Sequence, residues 1–272
     1  MKRLIVNELY SCYKKRNVYI LVLLFLNILL QVYILIDTKN IEKVDATSTD
    51  GILKVCGGLD KIFYLPNLFQ WILLIGILLL LVQSSTSIIG GFDVLLLTRA
   101  GSKLRWWTAK VLSLILITFI FTILLMVITK ILSHIAFPAF NKWSQYTYLY
   151  YPKIFASSIN PHKMEFIIFC VLLTGFIAIT TLFQTINLIF NKYANSYIVI
   201  LILCIMLGVL YMQGIIPRIL SPINYPSTID IATNIGSYLK SIEMNIVLFL
   251  INIVVSIIFV THNDYKVSKL EN

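Results

Sequence analysis

Six long runs of apolar residues, separated by polar stretches, dominate the chain. A helix that crosses the roughly 30 Å hydrocarbon core of a bilayer needs about 20 apolar residues. Each run is about that long, and none carries a charged residue or a histidine near its centre. The pattern predicts six transmembrane helices, over 17–36, 66–83, 107–132, 166–190, 196–213 and 245–261.

The composition supports an all-α membrane fold. Hydrophobic residues make up 59% of the 272 positions and charged residues only 12%, whereas a globular domain has about 25% charged residues. No loop is long enough for a separate folded domain, so residues 1–272 are predicted to form one transmembrane domain. The first run is too long for a cleavable signal peptide, and Asp37–Asn40 after it offers no small-residue cleavage site.

The basic residues predict the orientation of the chain. With both termini in the cytoplasm, the short inner segments hold more than half of the 22 lysines and arginines, and most of the acidic residues lie outside. The net charge of +10 is scattered between the apolar runs, and no run carries a basic face. Anionic lipid headgroups are therefore the expected partners of this charge, and nucleic acid is not expected.

Motifs of enzymatic chemistry are missing from the sequence. It contains no GxxxxGK[ST], HExxH, GxSxG or CxxC motif, and no paired carboxylates in the spans. His134, His162 and His262 lie singly at span edges or in loops. We therefore expect no catalytic, cofactor-binding or metal-binding residues in this chain. The four cysteines lack metal-ligand spacing and are interpreted as free thiols.

The polar residues inside the apolar runs are neutral. Their expected role is hydrogen bonding between helices, and contact with a transported substrate is the alternative. Carriers driven by protons or sodium commit carboxylates or histidines to their pathway. If this chain transports a substrate, a partner is expected to supply the energy. The residues concerned are Asn27, Gln31, Gln83, Gln184, Asn187 and Asn252.

The predicted cytoplasmic loop 84–106 combines a short apolar helix with basic residues. Asp93 is placed to begin the helix and Leu96 lies within it. A Gly101-Ser102 break interrupts a basic cluster that faces the cytoplasm, formed by Arg99, Lys103 and Arg105. Trp106 and Trp107 are predicted interfacial anchors at the start of the third span. An ordinary positive-inside loop has the same features.

The stretch Leu96–Lys103, followed by Trp106-Trp107 and Lys110, resembles the first cytoplasmic loop of six-span ABC-type export permeases. In that family a coupling helix in this loop docks onto the ATPase subunit. The resemblance extends to the cytoplasmic ends and to an N-terminal interfacial elbow, here 1–16, in which Leu4, Ile5 and Leu9 have helical spacing. The prolines of the last outer loop fit the re-entrant helices that the family places between its fifth and sixth spans.

The resemblance implies the membrane subunit of an exporter in a bacterial plasma membrane. Its partners would be cytoplasmic ATPase subunits, which bind ATP and Mg²⁺, and a second membrane subunit in a homodimer or heterodimer. Peptide, bacteriocin, antibiotic or lipid-like cargo fits this type. The alternative is a non-transporting immunity, sensor or assembly protein that recognises a partner through its outer loops.

The outer loop 133–165 departs from the family, in which the corresponding loop is often short. It is rich in aromatic residues. They fit an aromatic cluster on the membrane surface, an outer gate over the export path, or a docking site for an extracellular factor. The candidate gate residues are Trp143, Tyr146, Tyr148, Tyr150 and Tyr151.

Overall fold

The computed structural model describes residues 15–59, 65–86, 101–138, 142–157, 159–190, 193–229, 231 and 235–262. This part of the chain consists of helices and their connections, without a strand. Its α-helices in chain order are α1 (Lys15–Glu42), α2 (Ser48–Cys56), α3 (Leu65–Thr86), α4 (Lys103–Ala136), α5 (Gln145–Tyr150), α6 (Pro152–Ala156), α7 (Pro161–Phe190), α8 (Tyr193–Met212) and α9 (Ile235–His262).

Six of these helices are long and apolar enough to cross a membrane, which confirms the predicted polytopic bundle. They are α1, α3, α4, α7, α8 and α9. Most begin earlier or end later than the apolar runs, because hydropathy detects only the part of a helix that lies in hydrocarbon. The 34 residues of α4 extend for about 51 Å at 1.5 Å per residue, well beyond a 30 Å core. The predicted elbow over 1–16 lies outside the described residues, except that Lys15 and Arg16 begin α1.

Helix α7 is the centre of the bundle. It packs most extensively against α9 and also contacts α2, α3, α4 and α8. Its core contact is aromatic: the Phe176 ring lies 5.8 Å from the Phe121 ring and 6.4 Å from the Trp71 ring. The α4–α7 contact also contains buried hydroxyls, with the Thr118 and Thr180 oxygens 3.4 Å apart. Small hydroxyl residues permit close helix approach without leaving a polar group unsatisfied.

The described parts of three long connections, 43–59, 142–157 and 213–229, lie at one end of the bundle, which we call the long-loop end. They pack on one another and are called here the loop cap. The main chain joins them: Ser48 donates to the carbonyl of Pro138, Tyr146 to that of Asp45, and Thr228 to that of Gly57. Helix α2 is buried along almost its whole length between α1, α4 and α7. The long connections therefore form a folded layer rather than separate loops.

Residues 217–229 enter the bundle from the long-loop end, between α8 and α9. This re-entrant segment contains two short 3₁₀ turns, Arg218–Leu220 and Pro222–Asn224, and is buried from Ser221 onward. It reaches Gly175, near the middle of α7, so closely that a Cβ atom there would lie 2.4 Å from the nitrogen of Pro226. The resemblance to export permeases implies re-entrant helices in this loop, and the structure has two short 3₁₀ turns and irregular backbone there.

Side chains satisfy the carbonyls of the re-entrant segment. The Trp71 indole donates to the carbonyl of Ile223 at 2.7 Å, and the Asn245 amide donates to that of Tyr225 at 3.0 Å. The Arg218 guanidinium donates to the carbonyls of Asn224 and Ser227. Irregular backbone is tolerated inside a membrane protein only where such partners replace water.

We predict that Gly175→Ala destabilises the protein by about 1–3 kcal/mol, because a methyl group there must displace the backbone at Tyr225 and Pro226. Thermal unfolding in detergent measures the effect. Gly76→Ala is the matched control: its Cβ would lie 3.2 Å from the hydroxyl of Tyr197 and 3.9 Å from a methyl group of Leu201, with no backbone in the way. Equal stability of G175A and G76A would contradict the close packing of the re-entrant segment.

Candidate functional site

A cavity of about 470 Å³ lies between α1 and α3, beneath the loop cap. Helix α1 contributes a stripe of residues spaced at one helical face, and α3 contributes a second stripe. The α1 stripe is Asn27, Ile28, Gln31, Ile34, Thr38 and Glu42, and the α3 stripe is Asn67, Gln70, Trp71 and Leu74. The loop cap completes the lining with Lys54, Val55, Gly58, Tyr146, Tyr150, Tyr151 and Ile229.

The kind of polar group that lines the cavity changes with depth, from charged to neutral. Glu42 and Lys54 lie at the long-loop end, where Glu42 ends α1. Asn27 and Gln31 lie in the middle of α1, about 16–22 Å below Glu42 at 1.5 Å per residue. The cavity is therefore charged near the loop cap and lined by neutral amides and apolar groups inside the bundle.

The two charged residues contact neutral partners. The Tyr150 hydroxyl donates to the Glu42 carboxylate, and the Lys54 ammonium donates to the Asn67 side-chain oxygen at 3.3 Å. Among the described residues, no carboxylate pairs with Lys54. Burial without a counter-ion lowers the pKa of Lys54 below its usual 10.5.

Gln31 contradicts the expectation that the mid-span amides hydrogen-bond between helices. Its side chain is only 3% exposed, and neither its oxygen nor its nitrogen has a hydrogen-bond partner. Asn187, by contrast, accepts a bond from Ser196 across the α7–α8 contact at 3.3 Å and follows the expectation. The difference arises because Gln31 faces the cavity, where no helix is close enough to supply a partner.

A buried carboxylate holds the loop cap together above the cavity. Asp50 is fully buried in α2, and its Oδ2 accepts from the Thr47 main-chain N–H at 2.6 Å and from the Thr47 hydroxyl at 2.8 Å. The Ser144 hydroxyl donates to the same oxygen at 2.7 Å, and the Thr147 hydroxyl donates to Oδ1. The carboxylate thus joins α2 to the start of α5.

Three of the five predicted gate residues line the cavity. Tyr146, Tyr150 and Tyr151 do so, with the rings of Tyr146 and Tyr150 stacked at 4.4 Å. Burial raises the pKa of Tyr146.

The other two predicted gate residues lie elsewhere. Trp143 donates its indole N–H to the carbonyl of Ile159 at 2.8 Å. Tyr148 is largely exposed, with its ring 5.1 Å from that of Phe155. The aromatic loop therefore provides one wall of a cavity rather than a single cluster.

Sequence reasoning missed Glu42, Asp50, Lys54, Asn67 and Gln70. A signal for Glu42 was present in the sequence. If α1 continues to residue 42, helical spacing places Glu42 on the same face as Asn27, Gln31 and Thr38. The sequence Thr47-Ser-Thr-Asp50 resembles a helix-capping box, and this was the available signal for Asp50. The contacts of Lys54 and Gln70 depend on tertiary packing and left no signal.

The opposite end of the bundle contains the described part of the predicted coupling loop. Asp93, Leu96 and Arg99 lie outside the described residues. Gly101 has a positive φ of 71°, and the Ser102 hydroxyl accepts from the Arg105 N–H at 3.2 Å, so α4 begins at Lys103. The predicted helix break at Gly101-Ser102 therefore coincides with the start of α4.

Trp106 and Trp107 lie at the predicted end of the third span but face inward. They are 5% and 2% exposed and pack against Leu188 and Val260. The Trp107 indole donates to the Ser256 hydroxyl at 3.0 Å. Packing between α4, α7 and α9 thus replaces the headgroup contact expected of interfacial anchors. The Lys110 ammonium lies 4.8 Å from the Trp106 ring centroid.

Comparison with known proteins returned no relative. No family model matches the chain, and no curated protein or solved structure matches it. The described residues also contain no group of three or more histidine, cysteine, aspartate or glutamate side chains able to hold a metal ion. The structure therefore defines the class alone: this is a polytopic membrane protein with a six-span helix bundle.

We predict that Asp50→Ala destabilises the protein by about 3 kcal/mol or more, because it leaves several buried donors without an acceptor. Thermal unfolding in detergent measures the loss. Asp45→Asn, at an exposed position in the same connection, is the control and should be nearly neutral. If D50A is as stable as D45N, Asp50 does not hold the loop cap together.

We predict a pH-dependent stability effect for Lys54→Met. Because the pKa of Lys54 is lower in the folded state, folding disfavours its charged form. The resulting penalty is complete below the lowered pKa and is relieved as the pH rises through it toward 10.5. K54M should therefore be more stable than the parent at pH 7, and the difference should shrink by pH 10. A stability difference between K54M and the parent that is constant or grows with pH would contradict this. Lys240→Met, at an exposed position, is the control.

Proposed function

We propose that the chain is the membrane subunit of an ATP-binding-cassette exporter in a bacterial plasma membrane. Both termini would lie in the cytoplasm and the long-loop end outside. Cytoplasmic ATPase subunits would bind ATP and Mg²⁺, and the chain itself would be no enzyme and hold no cofactor. It would pair with a second membrane subunit, identical or similar, with lipids around the pair and no role for nucleic acid.

The re-entrant segment is the observation that carries the proposal. Residues 217–229 enter the bundle between the fifth and sixth spans, where the resemblance to export permeases places such structure. The six spans and the helix start at Ser102-Lys103 support the same layout. These observations concern the arrangement of helices, and they come from elements that are distant in the sequence.

The charge distribution favours an external energy source. Helices α3 and α8 carry no charged residue or histidine, and in α1, α4, α7 and α9 such residues lie toward the ends. A proton- or sodium-driven carrier commits ionisable groups within its spans. Rigid-body movement of packed helices, driven through the 84–106 loop, would instead open a path between the paired subunits. Peptide, bacteriocin, antibiotic or lipid-like cargo fits this arrangement.

The loop cap favours a second candidate function. Asp50 joins two of its connections, main-chain bonds to Gly57 join the third, and a cavity lies directly beneath them. A non-transporting immunity, sensor or assembly protein would use such a surface to recognise a partner. Such a protein would need no ATPase, so the two functions differ in a measurable way.

We predict that an ATPase subunit co-purifies with the chain in mild detergent. The double variant Arg99→Glu, Lys103→Glu should no longer co-purify with the ATPase, because reversed charge would disrupt docking at the coupling loop. Export and ATP hydrolysis should fall while membrane insertion is unchanged. Lys240→Glu, a charge reversal on α9 near the long-loop end, is the control and should keep the ATPase. Elution of the parent chain alone, or undiminished ATP-dependent export by the double variant, would refute the exporter assignment.

A further inference from the structure

The cavity between α1 and α3 contains polar groups that the fold leaves unused. Gln31 is buried, and both polar atoms of its amide lack a partner. Leaving a buried donor or acceptor unsatisfied costs about 1–3 kcal/mol in a folded protein. No hydrogen bond joins the side chain of Asn27, which is also buried, or that of the partly exposed Gln70 to another described residue. An unsatisfied buried carboxamide with two further amides in the same cavity favours a ligand that carries both donors and acceptors.

The apolar walls limit the chemistry of that ligand. Ile28, Ile34, Leu74 and the Trp71 ring alternate with the amides along the two helices. A polyhydroxylated ligand would leave these walls without apolar contact. A peptide backbone suits the pattern, because each peptide unit has one N–H donor and one carbonyl acceptor for a carboxamide, and its side chains cover apolar surface.

The charges near the loop cap indicate how the ligand would lie. Lys54 is a partly buried cation whose recorded partner is a neutral amide oxygen. An anion at Lys54 would gain a charge-assisted hydrogen bond that no other described residue supplies as a carboxylate. The distance from the level of Glu42 to Gln31 is about 16 Å along α1, close to the length of an extended peptide of about five residues.

We propose that this cavity binds a short apolar peptide, or the end of a longer one, with its free carboxyl terminus at Lys54 and its backbone against the amides of Gln31 and Gln70. The site lies within one subunit, with its charged residues at the long-loop end. It goes beyond the proposed export function and does not depend on it, since binding would serve transport or recognition equally.

The test uses the full-length chain in nanodiscs of phosphatidylcholine and phosphatidylglycerol, without ATP or other proteins. Equilibrium dialysis measures binding of radiolabelled Leu-Leu-Leu-Leu-Leu, which is long enough to reach from Lys54 to Gln31, and competition measures binding of the same peptide with an amidated carboxyl terminus. We expect saturable binding that is about tenfold weaker or more for the amidated peptide, which cannot pair as an anion with Lys54. Equal binding of both forms, or no saturable binding, would overturn the proposal.

Two variants separate the parts of the site. Lys54→Met should abolish the preference for the free carboxyl terminus, and Gln31→Leu should weaken both peptides by about tenfold. Because the Gln31 amide has no partner in the protein, Q31L should not lower the unfolding temperature. A variant that loses peptide binding but keeps the unfolding temperature of the parent identifies a ligand contact rather than a structural one. If Q31L fails to fold, Gln70→Leu provides the same comparison.

Matched controls and a lipid competitor complete the experiment. Gln83→Leu lies on α3 outside the cavity lining and Lys240→Met lies on α9, so both should bind as the parent does. Parent-like binding by K54M and Q31L would overturn the site. Competition by glycerophosphoethanolamine as strong as by unlabelled Leu-Leu-Leu-Leu-Leu would overturn the peptide assignment in favour of a lipid headgroup. Because no ATPase is present, failure here leaves the export proposal untouched.

Discussion

Irregular backbone inside an apolar bundle must find hydrogen-bond partners in the protein itself. The rest of this structure depends on how the re-entrant segment, 217–229, obtains those partners. Its carbonyls are bonded by Trp71 of α3, Asn245 of α9 and its own Arg218. Pro226, which has no N–H, occupies the closest approach to α7 at Gly175. The segment is thereby fixed to three spanning helices, α3, α7 and α9.

Residues 217–229 pack against α3, α7 and α8, while α1 and α3 contact each other directly. Helix α2 is buried against α4, where Gly51 lies directly on Ser133, and Asp50 joins it to α5. The loop cap covers the space between α1 and α3, whose walls combine polar and apolar side chains.

How much of this was predictable differs between elements. The six spans were predictable, because twenty apolar residues leave little choice in a membrane. The start of α4 after Gly101-Ser102 was also predictable, since a left-handed glycine and a serine cap are local signals. The extension of α9 back to Ile235 was not, because Lys240 and Glu243 make that stretch polar although it continues the helix.

The role of the mid-span amides could not be read from the sequence, because it depends on helix rotation. Asn187 and Gln31 have similar chemistry and similar positions within apolar runs. One faces α8 and bonds to Ser196, and the other faces a cavity and bonds to nothing. Periodicity places both on a helix but does not determine what lies opposite.

The contrast between these amides bears directly on function. A buried amide without a partner lowers stability, and an apolar residue of similar volume would avoid that loss. Gln31 therefore contributes nothing to the stability of the subunit that leucine would not contribute better. Asp50 is different, since its carboxylate is fully bonded and joins two parts of the loop cap. The hydrogen bonds of Asp50 account for its presence in the fold. The fold gives no such reason for Gln31, or for Asn27 and Gln70 in the same cavity, and a ligand would provide one.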